Sequence, residues 1–293
     1  MVLTPAGYKP RLIDPFVSDY LQSFGAVSIE GPKYCGKTWT ALNHSNSSFM
    51  IADPSFNYSN RNRAKMDVSS IFEGEEPRLI DEWQEIPSIW DATRFEVDKN
   101  TKKGRIILTG SSTPVKDVII HSGAGRIGSL KMRTMSLYES GHSDGRVSLQ
   151  SLFDSDFKNS FTDYRISLEK LCEMIARGGW PGNMDIDIDR VSHNLEDYVR
   201  KIASDATKVS KNTISEERMR MVIESLARNE STVASNAAIA KDTELENRRG
   251  LDPRTVSKYI NLLRRLYIIE DTSAFACSSV RQSFVFPSAL YAF

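Results

Sequence analysis

In the first half of the chain the apolar positions fall into short continuous runs. In the second half they recur at helical spacing. "GAVSIEG" (Gly25–Gly31) is a run of the first kind, bounded by glycines, and reads as a buried strand. "SFMIADP" (Ser48–Pro54), "PRLIDEW" (Pro77–Trp83) and "GRIILTGSS" (Gly104–Ser112) repeat the pattern. "SLKMRTMSL" (Ser129–Leu137) only alternates apolar with polar positions, a fainter strand signal. "KTWTALNH" and "SIWDATRFEVDKN" lie between the runs and read as helices. Strands alternating with helices predict an α/β domain over residues 1–150, with a parallel sheet covered on both faces.

The period changes near Leu149. "DYRISLEKLCEMIARGG" places Ile166, Leu168, Leu171, Ile175 and Ala176 near helical spacing, and Gly178-Gly179 stops it. In "DRVSHNLEDYVRKIASDAT", Val191, Leu195, Tyr198, Val199 and Ile202 share one face. "SEERMRMVIESLARN", "ASNAAIAKDT" and "LDPRTVSKYINLLRRL" follow, and "YIIEDTSAF" reads as a short strand. The last helix opens with Asp252 as N-cap and Pro253 at the first helical position, and it buries Val256, Tyr259, Ile260 and Leu263. Three helices and then a strand is the order of a winged helix.

Composition adds only bounds. Lys+Arg and Asp+Glu are equal at 38 each, so any surface for nucleic acid or an anionic membrane must be local. No apolar run reaches the length of a membrane span, and the N-terminus lacks the pattern of a signal peptide. Cys35, Cys172 and Cys277 are far apart and odd in number, which argues against a disulfide framework or a zinc cluster and favours the cytoplasm.

The chemistry concentrates in "GPKYCGKTWT" (Gly31–Thr40), which has the spacing G-x-x-x-x-G-K-[ST] between a predicted strand and a predicted helix. Such a loop turns its backbone N–H groups inward onto phosphate oxygens, and the helix N-terminus adds partial positive charge. Gly31, Pro32, Lys33, Tyr34, Cys35 and Gly36, with Lys37, Thr38 and Trp39 opening the helix, are therefore candidate nucleotide-contacting residues. Lys37 would reach the β- and γ-phosphates, and the Thr38 hydroxyl would ligate Mg²⁺. "RLIDEWQE" supplies the carboxylates: Asp81 for the metal, Glu82 to polarise a water. "RIILTGSS" ends in Thr109, Ser111 and Ser112, where a hydroxyl would hold the γ-phosphate or that water. Arg126 in "SGAGRIGS" would neutralise charge on the γ-phosphate, in cis or from a neighbouring subunit. Cys35 reads as a small filler or as a thiol open to oxidation at the helix N-terminus.

Taken together, "GPKYCGKT", "PRLIDEWQEIPSIWD", "GRIILTGSSTP", "HSGAGRI" and "MRTMSLYESG" occur in an order that resembles the prokaryotic AAA+-like ATPases carrying a DUF4143 region behind the ATPase module. The resemblance runs from about Tyr8 to Phe293. It implies a P-loop NTPase sheet and ATP with Mg²⁺ as ligands. It implies a Walker A at Gly31–Thr38, a Walker B at Asp81-Glu82, a sensor in Thr109–Ser112 and an arginine finger or sensor at Arg126. It also implies a helical lid over 151–212 and a winged helix with the start of a C-terminal region over 213–293. Members of that family continue past the winged helix. Here the chain stops in "SFVFPSALYAF", with Phe286 where an acid is expected, which reads as a shortened member.

The functional expectation is Mg²⁺-dependent ATP hydrolysis that moves the lid and winged helix. The alternative is an ATP-gated switch with little turnover, which binds DNA or a protein in one state. Arg254 and Lys258, beside Arg248, Arg249, Arg264 and Arg265, are the candidate DNA contacts. The alternative partners are another protein or a second copy of the chain. Trp180 reads as a packing anchor between subdomains.

Overall fold

A computed structural model of the chain describes residues 2–113, 120–146, 166–210, 214–244, 250–273 and 285–288. The apolar runs of the first half form five parallel strands: β1 (Ala26–Glu30), β2 (Ser47–Met50), β3 (Arg78–Asp81), β4 (Ile106–Gly110) and β5 (Ile127–Lys131). Their order across the sheet is β2-β3-β4-β1-β5. Ala26 pairs with Ile106 on one side and Ile127 on the other, so the strands begin level and their carboxyl ends meet along one edge. Successive residues alternate between the two faces. Leu79 and Ile107 enter one apolar core, and Ile80, Ile106 and Leu108 enter the other.

Four helices flank this sheet: α1 (Asp14–Ser23), α2 (Lys37–Asn43), α3 (Ser55–Met66) and α4 (Ser88–Asp98). Neither α1 nor α3 carries the apolar stripe that announced the others. In α1 only Val17 is buried, and in α3 only Ala64. β2 is shorter than its apolar run because the chain turns at Ile51 and Ala52. The fifth strand lies earlier than the alternation over Ser129–Leu137 predicts. It pairs from Ile127, where β1 offers partners, and Gly128 lets the rings of Tyr20 and Phe24 cover it. A Cβ on Gly128 would come within 2.6–2.9 Å of those rings. Met132 and Met135 are buried beyond the strand, so their apolar character comes from packing after the strand has ended.

The second half contains α5 (Leu168–Arg177), α6 (Ile188–Val209), α7 (Glu216–Arg228), α8 (Asn236–Asp242) and α9 (Pro253–Arg265). They are followed by β6 (Glu270–Ser273) and β7 (Val285–Ser288), an antiparallel pair. The predicted stripe of α9 is buried, and Asp252 accepts the Arg254 amide at 2.8 Å as its N-cap. In α6, Val191, Tyr198 and Ile202 are buried. α6 to α9 share one core with the Leu79–Ile107 face of the sheet, through Trp180, Tyr198, Cys35 and Met132. Trp180 is buried and packs on Tyr198 with ring centroids 4.4 Å apart, both within the segment 151–212. Leu168, Leu171 and Ile175 of α5 are exposed, so its apolar face has no cover among the described residues. No helix among the described residues is long and apolar enough to cross a membrane.

Candidate functional site

The loop Gly31–Gly36 leaves the carboxyl end of β1 and enters α2, the crevice where parallel sheets hold ligands. Gly36 sits at φ 104°, a conformation only glycine adopts without strain. Gly31 runs so close to the exit of β5 that a Cβ would lie 2.2 Å from the Met132 carbonyl. No side chain caps the N-terminus of α2. Its first amides therefore stay available for an anion. Lys37 is buried, and its ammonium donates to the Pro32 carbonyl at 2.8 Å. No carboxylate lies within ion-pair distance of it among the described residues. A buried cation of this kind fits a phosphate ligand.

β3 delivers Asp81 opposite that loop. The Thr38 hydroxyl donates to Asp81 Oδ1 at 2.9 Å, and Thr109 Oγ1 donates to the same oxygen. Burial pushes the Asp81 carboxyl up, and the adjacent Glu82 charge adds to this against the two hydroxyl bonds. The convergence of a hydroxyl and a carboxylate is a hard-oxygen donor set that fits Mg²⁺. Glu82 follows at φ 58°, left-handed and unusual for a side chain of its size, with its amide on Thr109 Oγ1 at 3.1 Å. Its Oε2 accepts the Ser111 hydroxyl at 2.9 Å and also the Gln84 amide. The Gln84 amide reaches Ser111 as well, at 3.1 Å. The insertion of β4 between β1 and β3 is what carries Thr109 and Ser111 to the two acids.

The loop, Thr38 and Glu82 line a cleft of about 740 Å³, whose other walls come from residues that local patterns did not mark. Tyr8 and Arg11 reach it from the N-terminal segment, Met135 from beyond β5, and Pro181-Gly182 from the turn after α5. The Tyr8 hydroxyl donates to Asp14 at 2.7 Å and lies 3.1 Å from the Thr40 hydroxyl; burial raises its pKa. The Arg11 guanidinium is buried with all its arms engaged. Nε meets Glu139 at 2.9 Å, Nη1 the Cys35 carbonyl at 2.7 Å and Nη2 the Arg133 carbonyl at 2.9 Å.

Lys33, Tyr34 and Trp39 also line the cleft, while the remaining expected contacts fall elsewhere. Lys33 turns outward to Asp205 at 2.7 Å, and its carbonyl accepts the Tyr198 hydroxyl. Tyr34 is 65% exposed, with its ring edge on Tyr198, and Trp39 is half-exposed at the cleft. The Cys35 thiol is fully buried, which pushes its pKa up, so the oxidation reading gives way to the small filler. Arg126 precedes β5, and its carbonyl accepts the Ala26 amide at the start of β1, while its guanidinium pairs with Asp98 at 3.0 Å. The length of β1, about 16 Å, separates it from the loop. Within one chain it therefore does not meet a phosphate held there, which corrects the in-cis role. Arg254 and Lys258 are exposed on α9, whereas Arg264 pairs with Asp271 and Arg265 donates to the Thr113 carbonyl. Arg248, Arg249, Cys277 and the Phe286 side chain lie outside the described residues.

Residues 23–141 match the family model of the AAA domain. Residues 168–285 match a domain of unknown function, DUF8612, in place of the expected DUF4143 region. No curated protein matches the chain. Among solved structures, the chain is similar to the Walker-type ATPase PABY2304 of Pyrococcus abyssi, with TM-score 0.55 and 12% identity over 92% of this chain and 93% of that one. At that identity the likeness is one of fold, and it spans both halves of the molecule. AMPPCP-bound DnaA from Aquifex aeolicus matches with TM-score 0.39 and 14% identity over 89% of each chain. Cdc6p from Pyrobaculum aerophilum matches with TM-score 0.32 and 13% identity over 99% of this chain and 93% of that one.

Proposed function

We propose that the chain is a Mg²⁺-dependent ATPase of the AAA type. The observation that carries this is the meeting of the Thr38 hydroxyl with Asp81 beside the buried Lys37 and the uncapped start of α2. Gly31–Gly36 and Lys37 would hold the phosphates, Thr38 and Asp81 the Mg²⁺, and Glu82 would take the proton of the attacking water. When bound, Mg²⁺ supplies neutralisation of phosphate charge. Trp39 would border the nucleotide, and Ser111 would sense the γ-phosphate from its position on Glu82. Preference for adenine rests on the AAA match. Arg126, exposed at the far end of the sheet, would act on the nucleotide of a second copy, which makes the working form a homo-oligomer.

The domain reading is an ATP-binding core over 1–150, a lid over 151–212 and a winged helix from 213 on. Tyr198 and Asp205 of α6 hold the phosphate loop directly, which supports a lid that follows the nucleotide. Arg254 and Lys258 would contact DNA from the exposed side of α9. We place the protein in the cytoplasm, where the free thiols of Cys35 and Cys172 stay reduced.

A second reading, an ATP-gated switch with little turnover, draws support from Glu82, whose Oε2 is occupied by Ser111 and Gln84. Mg²⁺-dependent ATP hydrolysis by the wild type, Lys37→Ala and Glu82→Gln separates the two. An ATPase loses about 10²–10⁴-fold in turnover with Glu82→Gln and keeps ATP binding. A wild type stabilised by Mg-ATP whose slow turnover Glu82→Gln leaves unchanged would establish the switch instead.

A further inference from the structure

Arg11 makes contacts that the proposed chemistry does not use. Its Nη1 donates to the Cys35 carbonyl at 2.7 Å and lies 3.0 Å from where a Cβ of Gly36 would be. The guanidinium thus rests on the Cys35–Gly36 peptide. That peptide is planar and trans, so its carbonyl and its N–H point to opposite sides. A carbonyl fixed on Arg11 aims the Gly36 N–H away from Arg11, and that N–H meets no acceptor among the described residues. Glycine at 36 makes this arrangement easy to lose. Rotating the peptide by half a turn takes φ from 104° to a negative value, and glycine accepts both. The turned peptide would present a carbonyl dipole, instead of a donor, to an anion.

We infer that Arg11 is a positioning residue that locks the Cys35–Gly36 peptide in its anion-receiving orientation. It acts through the loop's backbone at the wall of the cleft, and the inference rests on the ATP reading of the same loop. The lock has its own support. Glu139 accepts Arg11 Nε and the Leu12 amide on one oxygen and the Ser136 amide on the other. Arg11 Nη2 meets the Arg133 carbonyl. Arg11 and Glu139 side chains are 5% and 7% exposed, so the fork is held from two sides and has no room to swing. Lysine carries its donors on one compact head group and lacks the planar fork that reaches all three acceptors together.

The test is steady-state hydrolysis with Mg-ATP, and titration with Mg-ATP and Mg-ADP, for the wild type, Lys37→Ala, Arg11→Met, Arg11→Lys and Glu139→Gln. A lost charge-assisted bond to a loop peptide should raise the KM for ATP and the Kd for ADP together by about 10- to 100-fold in Arg11→Met. At saturating ATP, kcat should stay within about threefold, because Glu82, Asp81 and Lys37 are untouched. Arg11→Lys should recover part of the affinity. Glu139→Gln should weaken it less than Arg11→Met, which keeps the test open if Arg11→Met does not fold. Unchanged affinity in Glu139→Gln and in whichever Arg11 variant folds overturns the lock, as does a fall in kcat at unchanged KM. A wild type that neither hydrolyses ATP nor gains melting temperature with Mg-ATP overturns the nucleotide reading itself, a result distinct from either.

Discussion

At the level of single residues, the ion pair Arg11–Glu139 also governs how the protein answers acid. Burial works against the Glu139 charge, but the Ser136 and Leu12 amides and the Arg11 guanidinium outweigh it and hold the carboxyl below its ordinary value. Asp14 behaves alike, with bonds from His44, the Arg11 amide and Tyr8 prevailing over burial. A carboxyl depressed in the folded state contributes stability above its unfolded pKa. That contribution is lost as pH falls through the lower, folded value. Urea midpoints measured from about pH 7 down to about pH 3 should therefore fall in the wild type. Glu139→Gln should be less stable by about 2–3 kcal/mol at neutral pH and lose less on acidification. Equal slopes for the two proteins would remove Glu139 from the account. Arg11 was not legible as part of the site. It stands between Pro10 and Leu12 like any surface arginine, and its partners lie 24, 122 and 128 positions away.

Elements were legible where the chain carries its own start and stop signals. The strand–loop–helix around Gly31–Thr38 is contiguous, so its glycines, lysine and threonine indicate both conformation and chemistry. α9 is equally local: Asp252 caps it, Pro253 opens it and the stripe from Val256 to Leu263 buries it. Asp252→Ala removes the bond to the Arg254 amide and should cost about 1 kcal/mol of stability without changing ATP turnover. The melting temperature and the rate measured side by side check this. A loss of turnover at full stability would show that α9 acts on the site through its N-terminus. β5 shows the opposite case. Its position is set by what β1 offers as hydrogen-bond partners and by the rings over Gly128, neither of which lies in its own period. α1 and α3 present too few buried side chains for a stripe to appear.

Across the whole molecule, the two halves meet in a polar knot at the root of the phosphate loop. Tyr267 is buried at φ 58°, and its hydroxyl donates to Glu30, the residue before Gly31. The Thr113 hydroxyl donates to Tyr267 at 2.8 Å, and the Thr113 backbone exchanges bonds with Arg265 on both its amide and its carbonyl. Thr113 lies two residues beyond Ser111, which rests on Glu82. A displacement of Ser111 by a γ-phosphate would therefore reach α9 through Thr113 and Tyr267. Tyr267→Phe should keep the fold at a cost of about 1–2 kcal/mol and keep ATP binding. Amide exchange over residues 250–273, with and without Mg-ATP, reads the link. Protection by nucleotide should appear in the wild type and vanish in Tyr267→Phe; its persistence would route the coupling elsewhere, through Tyr198 and Lys33.

The sequence alone determined the alternation of strands and helices, the loop that suits a phosphate and the acids that suit a metal. These depend on neighbours in the chain, whose spacing is set by backbone periods of two and 3.6 residues. Tertiary structure decided the rest. It brought Thr109 and Ser111 onto Asp81 and Glu82, set Arg11 against the Cys35–Gly36 peptide, and moved Arg126 out of reach of its own loop. It also joined Tyr267 to Glu30 across 237 positions. Such contacts come from the order of the strands in the sheet and from the segments packed against it, and no local period encodes which distant side chain arrives there.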